Sequence, residues 1–281
     1  MSEMSPMEQV INKYFRSSRL PHIWCPGCGN GIVTSCLVKA IDKLKLEKDD
    51  ISVVSGIGCS SRASGYLDFN TVHSAHGRAL PFATGVKLSE PRLKVIVITG
   101  DGDATAIGGN HFIHAARRNI DMTVIVYNNN IYGMTGGQYS PLTPTNSKAT
   151  TAQFGTVDRA FDITELAKGA GATFIARATT FHAQLMEDVI AQGIQHQGFS
   201  IIEAITACPI SYGRQNKMGS AGNMVKWQRD HGVMLTAYQK MTDEQKEGKF
   251  PIGVLYKAEA PEYVTEYEKI IAQAQAKKGA R

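Results

Sequence analysis

Lys94-Val95-Ile96-Val97-Ile98-Thr99-Gly100-Asp101-Gly102-Asp103 reads as a strand that runs straight into a glycine–aspartate turn. Its apolar run is nearly continuous rather than alternating, which suits a strand covered on both faces in a parallel sheet. Met122-Thr123-Val124-Ile125-Val126-Tyr127, followed by Asn128-Asn129-Asn130, repeats the form. Outward from this pair, 51–55, 172–176 and 200–206 read as further strands. Helical patterns fall between them, over 29–45, 106–118, 164–170 and 181–196. The alternation predicts an α/β fold, a mostly parallel sheet with helices on both faces. Ligands of such sheets sit beyond the carboxyl ends of the strands, and both turns lie there.

The 281 residues, 43% hydrophobic and 20% charged, are enough for one large α/β domain or two small ones. We expect a main domain over 1–215 and a C-terminal helical extension over 216–281, with helices near 222–238 and 261–277. The extension is expected to pack on the domain or on a partner. Residues 133–155 are rich in Gly, Thr, Ser and Pro without a period. A loop of that length inside a compact domain is usually functional, as a lid over a ligand or a partner contact. The net charge of +5 is scattered, with a basic tail at Lys277, Lys278 and Arg281. No basic stripe interleaved with aromatics is present, which argues against nucleic acid as a partner. No run of about 20 apolar residues exists, so no membrane span is expected. Residues 1–10 are polar and carry no apolar signal core, which points to the cytoplasm.

The two turns carry the first chemistry. Asp101 and Asn129 are 28 positions apart, room for one turn, one helix and one strand. Adjacent parallel strands would deliver both to one edge. Asp101 offers an anionic oxygen, Asn129 an amide oxygen, and a backbone carbonyl near Ile131 a third. Mg²⁺ takes oxygen ligands in octahedral geometry and shares them with phosphates. Gly100 and Gly102 let the backbone approach a diphosphate closely.

Cys25, Cys28, Cys36, Cys59 and Cys208 are an odd set in a chain expected in the cytoplasm, which argues for metal or redox chemistry over disulfides. Cys25-Pro26-Gly27-Cys28 opens a helical segment, while Cys59 and Cys208 each follow a strand. Four thiolates suit a [4Fe–4S] cluster or structural zinc, and the Cys-x-x-Cys pair alone also allows a dithiol couple. Cys36 shares a helical face with Ile32, Val33, Leu37 and Ala40 and reads as a buried small hydrophobe.

Gly-Asp-Gly with Asn-Asn at this spacing resembles the signature of thiamine-diphosphate enzymes. Cys25-Pro-Gly-Cys-Gly29, Gly58-Cys59-Ser60, His76-Gly77-Arg78-Ala79, Gly108-Gly109-Asn110-His111, the run 128–138 and Cys208-Pro209 extend the likeness. Together they resemble the β subunit of 2-oxoacid:ferredoxin oxidoreductases, in order from about residue 20 to 217, with 252–256 carrying the likeness further. The resemblance implies thiamine diphosphate, Mg²⁺ held by Asp101, Asn129 and the Ile131 carbonyl, and a [4Fe–4S] cluster on Cys25, Cys28, Cys59 and Cys208. It implies that Gly58 and Cys59 approach the aminopyrimidine, with Asn30, Ser60, Gly100, Gly102 and Asp103 also at the cofactor. Asn30 stands where some relatives carry an acidic contact. His76 is the candidate catalytic residue at the site edge. Asp103 and His111 fit the pattern, as direct contacts or as support. His73, His114, His182 and His196 read as ordinary surface or satisfied residues.

The resemblance also implies a partner α subunit, whose pyrimidine-binding domain supplies the activating glutamate. The implied reaction is CoA-dependent oxidative decarboxylation of a 2-oxoacid, reversible, with electrons passing singly to ferredoxin. The flanks Pro21-His22-x-Trp24 and Tyr212-Gly213-Arg214-x-Asn216-Lys217 resemble 2-oxoglutarate enzymes, the product then being succinyl-CoA and CO₂. The alternatives are a pyruvate or broad 2-oxoacid enzyme, a non-oxidative thiamine carboligase, and a zinc-stabilised interaction subunit.

Overall fold

The structure, a computed structural model, describes residues 5–279. Arg281 of the basic tail and residues 1–4 lie outside the described residues. Among the described residues one sheet has the strands β1 Ile51–Ser55, β2 Asn70–His73, β3 Lys94–Gly100, β4 Met122–Asn128, β5 Phe174–Thr179, β6 Phe199–Ile205, β7 Gly232–Met234 and β8 Phe250–Lys257. Their spatial order is β2-β1-β3-β4-β6-β5-β8-β7. All pairings are parallel except β5 with β8.

Alternate residues of the central strands feed two apolar layers. Val53, Ile96, Ile98, Ile125 and Ile202 pack on one face against the helices Asn30–Lys43 and Ala183–Gln195. Val54, Val95, Val97, Val124, Val126 and Ile201 pack on the other against Ala79–Ser89, Gly109–Arg117 and Ile163–Ala170. This double cover explains why the strands read as unbroken hydrophobic runs. It also aligns the carboxyl ends of β1, β3, β4 and β6 along one rim of the sheet.

Four details depart from the sequence reading. The strand expected over 172–176 runs from Phe174 to Thr179. It continues past Arg177 because that charge is buried against Glu203 and Asp162 rather than exposed. The helix expected over 222–238 stops at His231. Gly232–Met234 then pairs with β8, and a short helix, Leu235–Tyr238, follows. The segment 216–281 is therefore not only helical: it adds β7 and β8 to the sheet, and its last helix spans Tyr263–Gly279. β2 and the helix Ala79–Ser89 had no counterpart in the sequence reading. β2 carries no buried residue and offers little hydrophobic signal.

Candidate active site

Asn30, Gly58, Cys59, Ser60, His76, Gly100, Asp101, Gly102, Asp103, Asn129 and Ile131 all line one cavity of about 360 Å³. The rim explains the convergence. β1 ends before Gly56–Ser60, β3 runs into Asp101, and β4 runs into Asn128–Asn130, so three adjacent parallel strands deliver three loops to one place. Asn30 enters from the first turn of the helix Asn30–Lys43.

Asp101 is fully sequestered at the start of the short helix Asp101–Thr105. Its carboxylate accepts a hydrogen bond from the Ser140 hydroxyl. Burial pushes its pKa up to about 7, partly offset by Ser140 and by the Gly102 N–H. A divalent cation at this point would restore the charged form. The Asn129 side-chain oxygen accepts from Ile131 N at 3.1 Å, which folds the turn and brings the Ile131 backbone toward the same cavity. Gly102 has no room for a side chain, since a Cβ there would stand 2.2 Å from the Tyr132 ring. The Tyr132 hydroxyl donates to Gly102 O at 3.0 Å.

Asp103 organises the opposite wall. It accepts from Gly77 N at 2.7 Å and Thr99 Oγ1 at 2.7 Å. His76 Nδ1 lies 2.7 Å from Asp103 Oδ1, without the alignment of a hydrogen bond. His76 also packs edge-on against Tyr132. Two further buried polar atoms of the lining, Asn30 Oδ1 and Ser60 Oγ, have no hydrogen-bond partner among the described residues. Such orphaned groups cost free energy unless a ligand or water satisfies them, so the wall suits a polar cofactor.

A second cavity, about 300 Å³, is lined by Cys25, Cys28, Cys59 and Cys208 together. The Cys25–Cys28 turn is tied to the exit of β6 by Ala207 N donating to Cys28 O at 2.9 Å, and to Cys59 by Trp24 Nε1 donating to Cys59 O at 2.7 Å. Burial pushes the Cys59 thiol up to about 11, with the sulfurs of Cys208, Cys28 and Cys25 adding to it. Ligation would have to displace those protons. Among the described residues no three His, Cys, Asp or Glu side chains stand close enough to hold a single metal ion. Four thiols lining one cavity suit a [4Fe–4S] cluster or structural zinc.

Asn30, Cys59, Asn129, Gly133 and Met134 belong to both cavities. Gly133 is where they meet: a Cβ there would lie 3.3 Å from Cys208 Sγ and 3.7 Å from Cys59 Sγ. Gly133, Met134, Thr135 and Gln138, which the sequence reading left without a role, supply part of the first wall. Their signals were the Gly-rich composition of 133–155 and their place in the run 128–138 that carries the family likeness.

Cys36 stays apart, buried and directed at Ala183 O at 3.3 Å. His182 Nδ1 meets Thr179 Oγ1 at 2.8 Å and His196 Nε2 meets Thr173 Oγ1 at 2.7 Å, so both are satisfied structural residues. His111 is not at either cavity; its Nε2 is buried without a partner among the described residues.

Residues 56–204 match the family described as thiamine pyrophosphate enzyme, C-terminal TPP binding domain. A 2-oxoglutarate synthase subunit KorB of Methanocaldococcus jannaschii is 50% identical over 259 residues, covering 92% of this chain and 96% of that one. A 2-oxoacid:ferredoxin oxidoreductase subunit beta of Saccharolobus solfataricus is 35% identical, with 89% and 85% covered. A solved 2-oxoglutarate:ferredoxin oxidoreductase of Magnetococcus marinus, with 2-oxoglutarate, coenzyme A and succinyl-CoA bound, superposes with a TM-score of 0.85 at 31% identity, covering 98% of this chain and 92% of that one. Among the described residues no helix is long and apolar enough to cross a membrane.

Proposed function

This chain belongs to the thiamine-diphosphate-binding β subunits of 2-oxoacid:ferredoxin oxidoreductases, and from that premise we propose that its enzyme converts 2-oxoglutarate and CoA to succinyl-CoA and CO₂, reversibly, passing electrons to ferredoxin. One observation carries the reading: a cavity walled by the Gly-Asp-Gly and Asn-Asn turns shares five residues with a cavity walled by four cysteines. A site for decarboxylation thus stands directly beside a site for electron removal.

In this proposal Asp101, Asn129 and the Ile131 carbonyl hold Mg²⁺ on the diphosphate, with Gly100 and Gly102 giving the backbone room. Asn30 Oδ1 and Ser60 Oγ find their partners on the cofactor, beside Gly58 and Cys59. Cys25, Cys28, Cys59 and Cys208 hold a [4Fe–4S] cluster. Thiamine diphosphate, when bound, supplies the ring that accepts the electron pair released as CO₂ departs. His76, its Nδ1 set against Asp103, is the candidate catalytic residue at the cavity edge. No glutamate lines the cavity among the described residues, which supports an activating glutamate from the pyrimidine-binding domain of a partner α subunit. Residues 1–215 then form the catalytic body and 216–281 the extension, in a cytoplasmic assembly.

The test is anaerobic co-expression with the α subunit and assay of CoA-dependent viologen or ferredoxin reduction over a panel of 2-oxoacids. We expect turnover with 2-oxoglutarate, and iron with acid-labile sulfide in the purified complex. Turnover with pyruvate alone would overturn the substrate. A colourless protein with stoichiometric zinc would overturn the cluster and favour a non-oxidative carboligase.

A further inference from the structure

The Asn128–Asn130 turn is braced from behind by buried charge that lines neither cavity. Strand register sets Arg177 of β5 opposite Glu203 of β6, and the two side chains are only 7% and 5% exposed. Arg177 Nε donates to Glu203 Oε2 at 2.5 Å. Glu203 Oε1 accepts from Asn128 Nδ2 at 2.7 Å, and Asn128 Oδ1 accepts from Asn130 N at 3.0 Å. In the other direction Arg177 Nη2 donates to Asp162 Oδ1 at 2.9 Å and Thr164 Oγ1 at 3.2 Å. Asp162 in turn caps the helix Ile163–Ala170.

This line of contacts joins the two ends of one long loop. The loop leaves the sheet at Asn128 and is caught again at Asp162. Between those points it supplies Asn129, Ile131, Gly133, Met134 and Gln138 to the cofactor cavity, and Ser140 to Asp101. Asn130 sits at φ 62, a conformation a side chain adopts at a cost, and it needs outside support to persist. A buried ion pair is a poor source of stability compared with apolar packing of the same volume. Its value here is directional, because it holds one side-chain amide at one angle.

We propose that Arg177 and Glu203, acting through Asn128, are positioning residues for the metal–diphosphate turn, setting where Asn129 and the Ile131 carbonyl stand. The inference rests on the reading that this cavity takes thiamine diphosphate with Mg²⁺.

The experiment uses the full chain assembled with its partner subunit, with Mn²⁺ replacing Mg²⁺ so that binding in the presence of thiamine diphosphate is followed by electron paramagnetic resonance. Thermal unfolding without cofactor is measured alongside. Asn128→Ala cuts the link to the turn and leaves the ion pair intact. It is expected to weaken Mn²⁺ binding by about tenfold or more, the scale of losing an outer partner of a metal ligand, with a small change in cofactor-free melting temperature. Glu203→Gln is expected to weaken binding as well, and the Asn128→Ala/Glu203→Gln double variant to be less than additive. Should Glu203→Gln fail to fold, Asn128→Ala alone decides. Wild-type Mn²⁺ affinity in Asn128→Ala would overturn the positioning role while leaving the cofactor reading intact. Absence of Mn²⁺ binding in the wild-type complex would overturn the cofactor reading, and this inference with it.

Discussion

At Gly102 the missing side chain is a packing requirement. Gly102→Ala would place a methyl 2.2 Å from the Tyr132 ring and is expected to destabilise the protein by about 1–3 kcal/mol, the usual cost of overpacking. Chemical unfolding should show the loss, and a Tyr132→Ala background should remove most of it, since the clash has one partner. Asp101 has the reverse problem, a carboxylate with too little solvent. Asp101→Ala is expected to lower affinity for Mg²⁺ with thiamine diphosphate by at least about 100-fold, beyond what outer partners of metal ligands cost; calorimetric titration reads this directly. The cysteines separate by position, since Cys36 lies outside the cavity that the other four line. Burial pushes Cys36 up to about 11, so below that pH it remains a protonated thiol. At pH 8 it should resist iodoacetamide in the folded protein, and Cys36→Ala should leave iron content unchanged. Cys59→Ala should abolish it. Asp101, Asn129 and the four cysteines of the second cavity stood out in the sequence because metal-ligating residue types follow strand ends or stand in a Cys-x-x-Cys pair. Tyr132 and Gln138 carried no role of their own beyond their place in the run 128–138, because an aromatic or amide in a glycine-rich loop has many uses and only its neighbours select one.

The elements divide by how much of their identity is local. β3 and β4 were legible because burial on both faces leaves an unbroken apolar run. β5 was misplaced because Arg177 interrupts that run, and only its partners on β6 and at Asp162 make the charge tolerable. Gly232 ends a helix that periodicity alone would continue, and the segment then turns to β8. The helix Tyr263–Gly279 is docked at its start by Glu262. That carboxylate accepts from Asp121 N at 3.1 Å, Val264 N at 2.9 Å, Thr265 N at 2.8 Å and Thr265 Oγ1 at 2.9 Å. Glu262→Ala leaves these donors unpaired and is expected to cost about 1–2 kcal/mol. Limited proteolysis should then cut ahead of Tyr263 sooner than in the wild type, with the sheet otherwise intact.

The purified single chain is expected to show no 2-oxoacid oxidation, and addition of the α subunit to restore it; robust turnover by the single chain, assayed anaerobically, would refute the partnership. The sequence by itself determined the α/β class, the rim on which both cavities lie, and the aspartates, asparagines and cysteines among their lining. Those follow from local rules: apolar runs make buried strands, and strand ends carry the turns that reach ligands. The tertiary structure alone decided three things. It brought Cys25 and Cys28 beside Cys59 and Cys208, across a separation in sequence that no periodicity encodes. It drew residues after 215 into the sheet, through an antiparallel pairing whose partner could not be read from β8. It made one buried ion pair brace both ends of the loop at the cofactor cavity. Each of these depends on strand order and register, which local sequence constrains only weakly because many pairings bury the same apolar surface.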